Sequence, residues 1–210
     1  MNSPSHIAIK PKVLYPGTPV MLLCTQNLDG STNISPASSY WALGQILVLG
    51  LLADGQTARN LHERPGLTVN FPAPELWQRV ESIANTTGAD PVPESKLSRY
   101  IHERDKFGRA GLTPHSSEVV APPRIRECAL QFEAEVRRTT PGVGDYFMVE
   151  AEVVRVHASP HIIVPGTDHI DPRSWEPTIY SFRHYFGLGL EYGFRPTSDT
   201  ALQTQSHQPA

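Results

Sequence analysis

The chain has 210 residues, 39% of them hydrophobic and 19% charged, which suits one globular domain with short extensions and a real buried core. Its 18 Lys and Arg against 21 Asp and Glu leave a net charge of −3, excluding nucleic-acid or anionic-membrane binding that works through bulk positive charge. The 20 prolines and 15 glycines argue against a long helical bundle, and two cysteines, Cys24 and Cys128, are too few for a disulfide framework and lack metal-ligand spacing.

Residues 1–14 read as a lead-in without the charged-then-apolar pattern of a secretion signal, and a cytoplasmic protein is expected. Residues 19–25 are an apolar run of strand length that places Cys24 in the core. Asn27-Leu28-Asp29-Gly30 supplies hairpin chemistry, because Asp-Gly favours the positive φ angles of a tight turn. A second strand follows over 32–41, and a third, apolar throughout, over 46–52. The stretch 40–53, interrupted by Gln45, is too short to span a membrane.

Residues 54–62 have the character of a short helix with Asp54 as N-cap and Pro65-Gly66 beyond its end. Strand returns over 67–71. Leu76, Val80, Ile83 and Ala84 then have the helical spacing of a half-buried face within 74–84. Residues 85–97 read as loop, 98–107 as helix and 108–123 as loop. A long hairpin follows, with strands over 129–139 and 146–157 and a turn at Pro141-Gly142-Val143-Gly144-Asp145. The proline-interrupted segment 158–178 is irregular, and 179–190 is an apolar, aromatic closing strand. Residues 195–210, rich in Ser, Thr and Gln, are expected to be disordered. The pattern predicts a mainly β chain, one antiparallel barrel over 15–194 decorated with a few short helices.

Most catalytic signatures are missing. There is no Gly-x-Ser-x-Gly elbow and no phosphate loop; His62-Glu63-Arg64 and His102-Glu103-Arg104 begin like a zinc motif but lack the second His. Pro160 argues against a helical metal pair of His157 and His161, and no metal site is expected. What remains is a polar stripe from Thr32 to Tyr40, where Pro36 should break the ladder and free backbone groups for a ligand. Next to it in sequence stands a helix N-terminus with Thr57 and Arg59, which favours an anion. Together they would cradle a phosphorylated small molecule. The same residues also suit ordinary turn hydroxyls and a capped helix, and residue types alone leave both readings open.

Five segments in order resemble the flavin reductase-like FMN-binding domain. They are Pro19-Val20-Met21-Leu22-Leu23-Cys24-Thr25 with Asp29-Gly30-Ser31-Thr32-Asn33-Ile34-Ser35-Pro36-Ala37-Ser38-Ser39, then Gly55-Gln56-Thr57-Ala58-Arg59-Asn60-Leu61. Asp105-Lys106-Phe107 with Ala110-Gly111-Leu112-Thr113-Pro114 follows, then Ala121-Pro122-Pro123-Arg124-Ile125, and last the stretch from Tyr180 to His184-Tyr185-Phe186. The resemblance covers roughly residues 15–190.

It implies a split β-barrel, a homodimer, and FMN (or FAD) in a groove near the subunit interface. The implied activity is NAD(P)H-dependent reduction of flavin, in many members to supply a separate flavin-dependent monooxygenase. By position, Asn33, Ile34, Ser35, Pro36 and Ala37 would lie along the flavin ring and ribityl chain. Ser38, Ser39, Thr57 and Asn60, with Arg59 nearby, would hold the ribityl and phosphate end. Lys106 and Phe107 would approach from the helix and loop side, and His184 and Tyr185 would border the ring or the nicotinamide as the catalytic pair. Missing triads agree with this, since hydride transfer belongs to the cofactors and the protein stacks rings and excludes water. Two further readings stay open: direct action of the flavin on a small organic substrate, with 158–178 as a lid, and non-catalytic flavin binding. The chain departs from the family where many members carry an Asp-Pro-Pro-Leu type turn; it has Trp41-Ala42-Leu43-Gly44-Gln45-Ile46 there.

Overall fold

The computed structural model describes residues 6–193; the expected disordered tail lies outside them. The first apolar run forms β2 (Met21–Gln26), preceded by a short unexpected strand, β1 (Pro16–Pro19). A turn closed by Gly30, at φ 82°, reverses the chain into β3 (Thr32–Ala37), which pairs antiparallel with β2. The strand expected over 32–41 is cut at Ser38–Ser39. Its second half, β4 (Tyr40–Leu43), pairs with β5 (Ile46–Leu52) instead. Pro36 does not break the ladder: it sits in register opposite Leu22, tolerated because β3 is an edge strand.

Next come α1 (Gln56–Glu63) and β6 (Gly66–Phe71). A 3₁₀ turn at Pro74–Leu76 leads into α2 (Trp77–Ala84). Asp54 does not cap α1. The N-cap is Gly55, without a side-chain bond, because the Asp54 carboxylate is held by Lys96 at 2.8 Å and by Ser95.

The helix expected over 98–107 is mostly absent. Residues Ile101–His102 form β8, parallel to β7 (Thr86–Thr87), and α3 is confined to Lys106–Ala110. Asp105 sets that start by accepting the Gly108 N–H at 2.8 Å, as an N-cap carboxylate should. Short β9 (Pro114–His115) and β10 (Arg124–Ile125) pair before the long hairpin of β11 (Leu130–Pro141) and β12 (Tyr146–Ala158). The closing segment is a small hairpin, β13 (Ile179–Ser181) and β14 (His184–Phe186), with β13 against β1.

The main sheet has seven strands in the order β3-β2-β6-β11-β12-β5-β4. Its hydrogen-bonded ladder is open rather than closed into a full barrel. The two edge strands are nevertheless consecutive in the chain and separated only by Ser38–Ser39, with Gly50 N–H donating to the Ser39 carbonyl at 3.0 Å. The sheet must therefore curl until its edges almost meet. Inside the curl lies one core, with Met21, Leu23, Leu49, Val69 and Val149 among its members, plugged at one end by Ala58 and Leu61 of α1. On the outer side of β2, Leu22, Cys24 and Ile34 form a second core with Val80 and Ile83 of α2 and with Ala110 and Ile125. Strand β2 is thus buried on both faces, and each fully buried leucine is worth about 2 kcal/mol over an exposed one. Cys24 is inert there, its thiol pushed up to about 12 by burial.

Segment 158–178 packs Ile162, Ile170 and Trp175 against the inner core. Nearby, the Glu133 carboxylate of β11 accepts the N–H groups of Glu118, Val119 and Val120 at 2.9, 2.6 and 2.9 Å. It tethers an otherwise irregular loop to the sheet.

Candidate functional site

Where the sheet edges meet, a cavity of about 630 Å³ opens between β3, the start of α1, α2, the loop after α2 and the β13–β14 hairpin. Asn33 forms its floor. The side chain is 2% exposed and donates from Nδ2 to Thr57 Oγ1 at 3.0 Å. Thr57 therefore keeps its own hydroxyl proton for a ligand, while the buried Asn33 Oδ1 has no hydrogen-bond partner among the described residues. Gly88 leaves room for that amide: a Cβ there would stand 2.7 Å from Asn33 Oδ1. A buried acceptor without a donor costs about 1–3 kcal/mol, which marks this corner as shaped for something that donates.

Lys106 is the second element. It is 3% exposed, and its ammonium donates to the Ile34 carbonyl at 2.8 Å and the Thr86 carbonyl at 3.4 Å. Burial pushes its pKa down to about 8, with Glu103 opposing and Lys96 adding to the shift. Among the described residues no carboxylate bonds to it, so an anion in the cavity would complete its coordination. The α1 N-terminus lies at the same cavity with first-turn N–H groups that no side chain caps. Lys96 joins them, bound to Asp54 at 2.8 Å.

The opposite wall is aromatic. Tyr15, Tyr180 and Tyr185 form a chain of rings with centroids 5.6 and 5.5 Å apart. Tyr185 donates its hydroxyl to Glu81 at 2.6 Å, and burial with this bond raises its pKa. The cavity thus pairs a cationic, donor-rich end with an aromatic wall whose rings are inclined at 65° and 53° to one another, as a phosphorylated aromatic ligand can use.

Of the residues expected at the site, Asn33, Ser35, Pro36, Ala37, Ser38, Ser39, Thr57, Lys106 and Tyr185 line this cavity. Two of the hydroxyls are already engaged: Ser38 donates to the Pro19 carbonyl at 2.9 Å, and Ser39 pairs with Tyr15 at 2.6 Å. Five expected residues do not line it. Ile34 is fully buried behind β3 and Phe107 packs in the outer core. Asn60, also buried, holds Thr25 and Asn27 at 3.0 and 2.9 Å. Arg59 is exposed on α1, and His184 is exposed on β14, where strand alternation turns Tyr185 inward and His184 away. Arg183, Gln56, Thr86, Gly88, Lys96 and Tyr100 line the cavity without having been expected.

The departing Trp41–Ile46 turn is an outer hairpin that contributes nothing to the cavity lining. Segment 158–178, a lid in one of the open readings, lines a different cavity of about 720 Å³. There His157 Nε2 lies 2.7 Å from Glu133, and Arg124 donates to Gln131 and to the Ser116 carbonyl at 2.9 and 2.7 Å, while its Nε, 3.9 Å from Glu133, has no hydrogen-bond partner among the described residues. Among the described residues no helix is long and apolar enough to cross a membrane.

A family model described as the flavin reductase like domain matches residues 16–189. An uncharacterized protein of Bacillus subtilis strain 168, YdfE, is 43% identical over 195 residues, 91% of this chain and 94% of that protein. The flavoredoxin of Desulfovibrio vulgaris (Miyazaki F) superposes with a TM-score of 0.77 at 20% identity, covering 93% of this chain and 99% of that one. Nitrilotriacetate monooxygenase component B from Bacillus cereus does so with a TM-score of 0.71 at 19% identity, covering 91% and 100%. At such identities the two structures speak for the fold.

Proposed function

The chain belongs to the flavin reductase-like family, and from that premise we propose that it is an FMN-dependent NAD(P)H:flavin oxidoreductase of the cytoplasm. The observation that carries the proposal is the cavity's division of labour. Thr57, the uncapped α1 N-terminus and Lys106 form an anion end, the unpartnered Asn33 Oδ1 awaits a donor, and Tyr180 and Tyr185 offer an aromatic wall. A flavin mononucleotide carries all three complements: a phosphate dianion, N–H and O–H donors on its ring and ribityl chain, and an aromatic body. When bound, the flavin supplies hydride acceptance from a nicotinamide and delivery of the electrons onward.

The chain's residues bind, orient and shield. Thr57 and Lys106 hold negative charge, Asn33 fixes a donor edge, and the tyrosine wall keeps water from one face. Tyr185 stays protonated, its hydroxyl committed to Glu81. No side chain need act as a nucleophile or general base. In Thr57→Ala the FMN dissociation constant should rise about tenfold or more, as expected for one lost charge-assisted bond of roughly 1.5–3 kcal/mol. An unchanged constant contradicts the anion end. Steady NADH or NADPH oxidation with free flavin and oxygen alone tests the reductase reading. Turnover only with a third organic compound would select direct substrate reduction instead.

The name of the monooxygenase component B favours a monooxygenase as the consumer of reduced flavin. We also propose a homodimer. Trp41, Leu43, Leu52, Tyr146 and Met148 are all exposed, and the registers β4–β5 and β5–β12 put them on one outer sheet face. A second copy covers that apolar patch; light scattering that gives the mass of a single chain would contradict this.

A further inference from the structure

Two consecutive non-glycine residues, Phe182 and Arg183, hold left-handed backbone with φ of 44° and 72°. They form the two-residue loop between Ser181 and His184, which face each other across the β13–β14 ladder. Positive φ at both central positions is the type I′ pattern, whose natural occupants are Asn and Gly. A Phe–Arg pair is strained there because each Cβ crowds the following carbonyl. The loop is tied to the body by the Phe182 N–H, which donates to the Tyr15 carbonyl at 2.9 Å, but neither side chain is packed to offset the strain: Phe182 is 51% exposed, and Arg183 is exposed too.

What the loop achieves is placement, since Arg183 stands on the rim of the flavin-sized cavity. The other ionised groups lining that cavity have partners. Lys96 holds Asp54, Glu81 accepts from Tyr185, and Lys106 rests on two carbonyls. Arg183 alone has neither an ion pair nor a side-chain hydrogen bond among the described residues. It also sits on the hairpin wall, whereas the anion end is built from α1, α3 and the Lys96 loop. A guanidinium fork matches phosphate oxygens in pairs, and strained exposed residues that persist are found at ligand clamps.

We propose that Arg183 receives a phosphoryl group of the nicotinamide dinucleotide entering this cavity and so sets affinity for the second ligand rather than for the flavin. This rests on the flavin reading above. The test compares the wild type with Phe182→Asn/Arg183→Gly, which restores the preferred turn residues. FMN uptake is measured by fluorescence quenching, and NAD⁺ and NADP⁺ are titrated calorimetrically into the FMN-loaded proteins.

The variant should melt a few degrees higher and lose about tenfold or more in dinucleotide affinity, with a far smaller change for FMN. An equal loss for both dinucleotides assigns Arg183 to the pyrophosphate, and a larger loss for NADP⁺ assigns it to the 2′-phosphate. A variant that melts lower, or binds both dinucleotides as the wild type does, overturns the inference. So does an FMN-loaded wild type that binds neither dinucleotide. A wild type that takes up no FMN overturns the flavin reading itself.

Discussion

Lys106→Met should lower FMN affinity by about 10- to 100-fold while the protein stays folded. The range follows from removing a charged donor, worth roughly 1.5–3 kcal/mol. The fold should survive because burying this ammonium is itself costly, as its pKa near 8 records, and methionine fills a similar volume.

The same shift fixes the pH dependence. A lysine whose folded value lies below its ordinary 10.5 binds fewer protons folded than unfolded between about 8 and 10.5. The protein therefore gains stability from this group as pH rises through that window. Anion binding runs the other way: it needs the ammonium and the phosphate dianion, so FMN affinity is highest between about 6, where a phosphate monoester takes up its second proton, and about 8, and falls above it. Titrations on either side of pH 8 should show that decline in the wild type and none in Lys106→Met. A variant that binds FMN as tightly as the wild type would remove Lys106 from the site.

Glu133→Ala carries the largest expected effect on stability, a loss of about 3–5 kcal/mol in denaturant unfolding, as for breaking a buried charged cluster. The carboxylate is 0% exposed and serves three consecutive backbone donors and His157. Without it those N–H groups are left unpaired. Burial alone would raise the Glu133 pKa, but the N–H donors of Glu118, Val120 and Val119 and the His157 bond outweigh it and bring it to about 2. A depressed carboxylate contributes fully above its ordinary 4.5, and that contribution is lost as pH falls from there toward 2. Acid titration of the wild type should show this loss, and Glu133→Ala should lack it. An unchanged denaturation midpoint in the variant would show that the loop holds itself.

The strands were readable because their signals are local. Apolar runs and turn residues located β2, β5, β6, β11 and β12 to within a residue or two. The cut at Ser38–Ser39 was not readable, since it is set by the curl of the whole sheet and not by those two serines. The helix over 98–107 failed for a similar reason: β7 offers Ile101–His102 a strand partner that no local spacing reveals.

At the site, Asn33, Thr57 and Lys106 could be found because they sit in recognisable segments. Gly88, Thr86, Lys96 and Tyr100 could not, because a polar, proline-interrupted loop reaches the cavity only through tertiary packing. At the closing hairpin the segment was right, but the register decides which residues face inward. Tyr185 and Arg183 line the cavity and His184 does not.

The central claim is that this cavity holds a flavin that a nicotinamide can reduce. The most direct measurement is the visible absorption spectrum of the purified protein after incubation with FMN and gel filtration, recorded before and after anaerobic addition of NADH or NADPH. Flavin bands that travel with the protein and bleach without any organic substrate are the predicted result. A colourless protein, or bound flavin that neither nucleotide bleaches, would contradict the account.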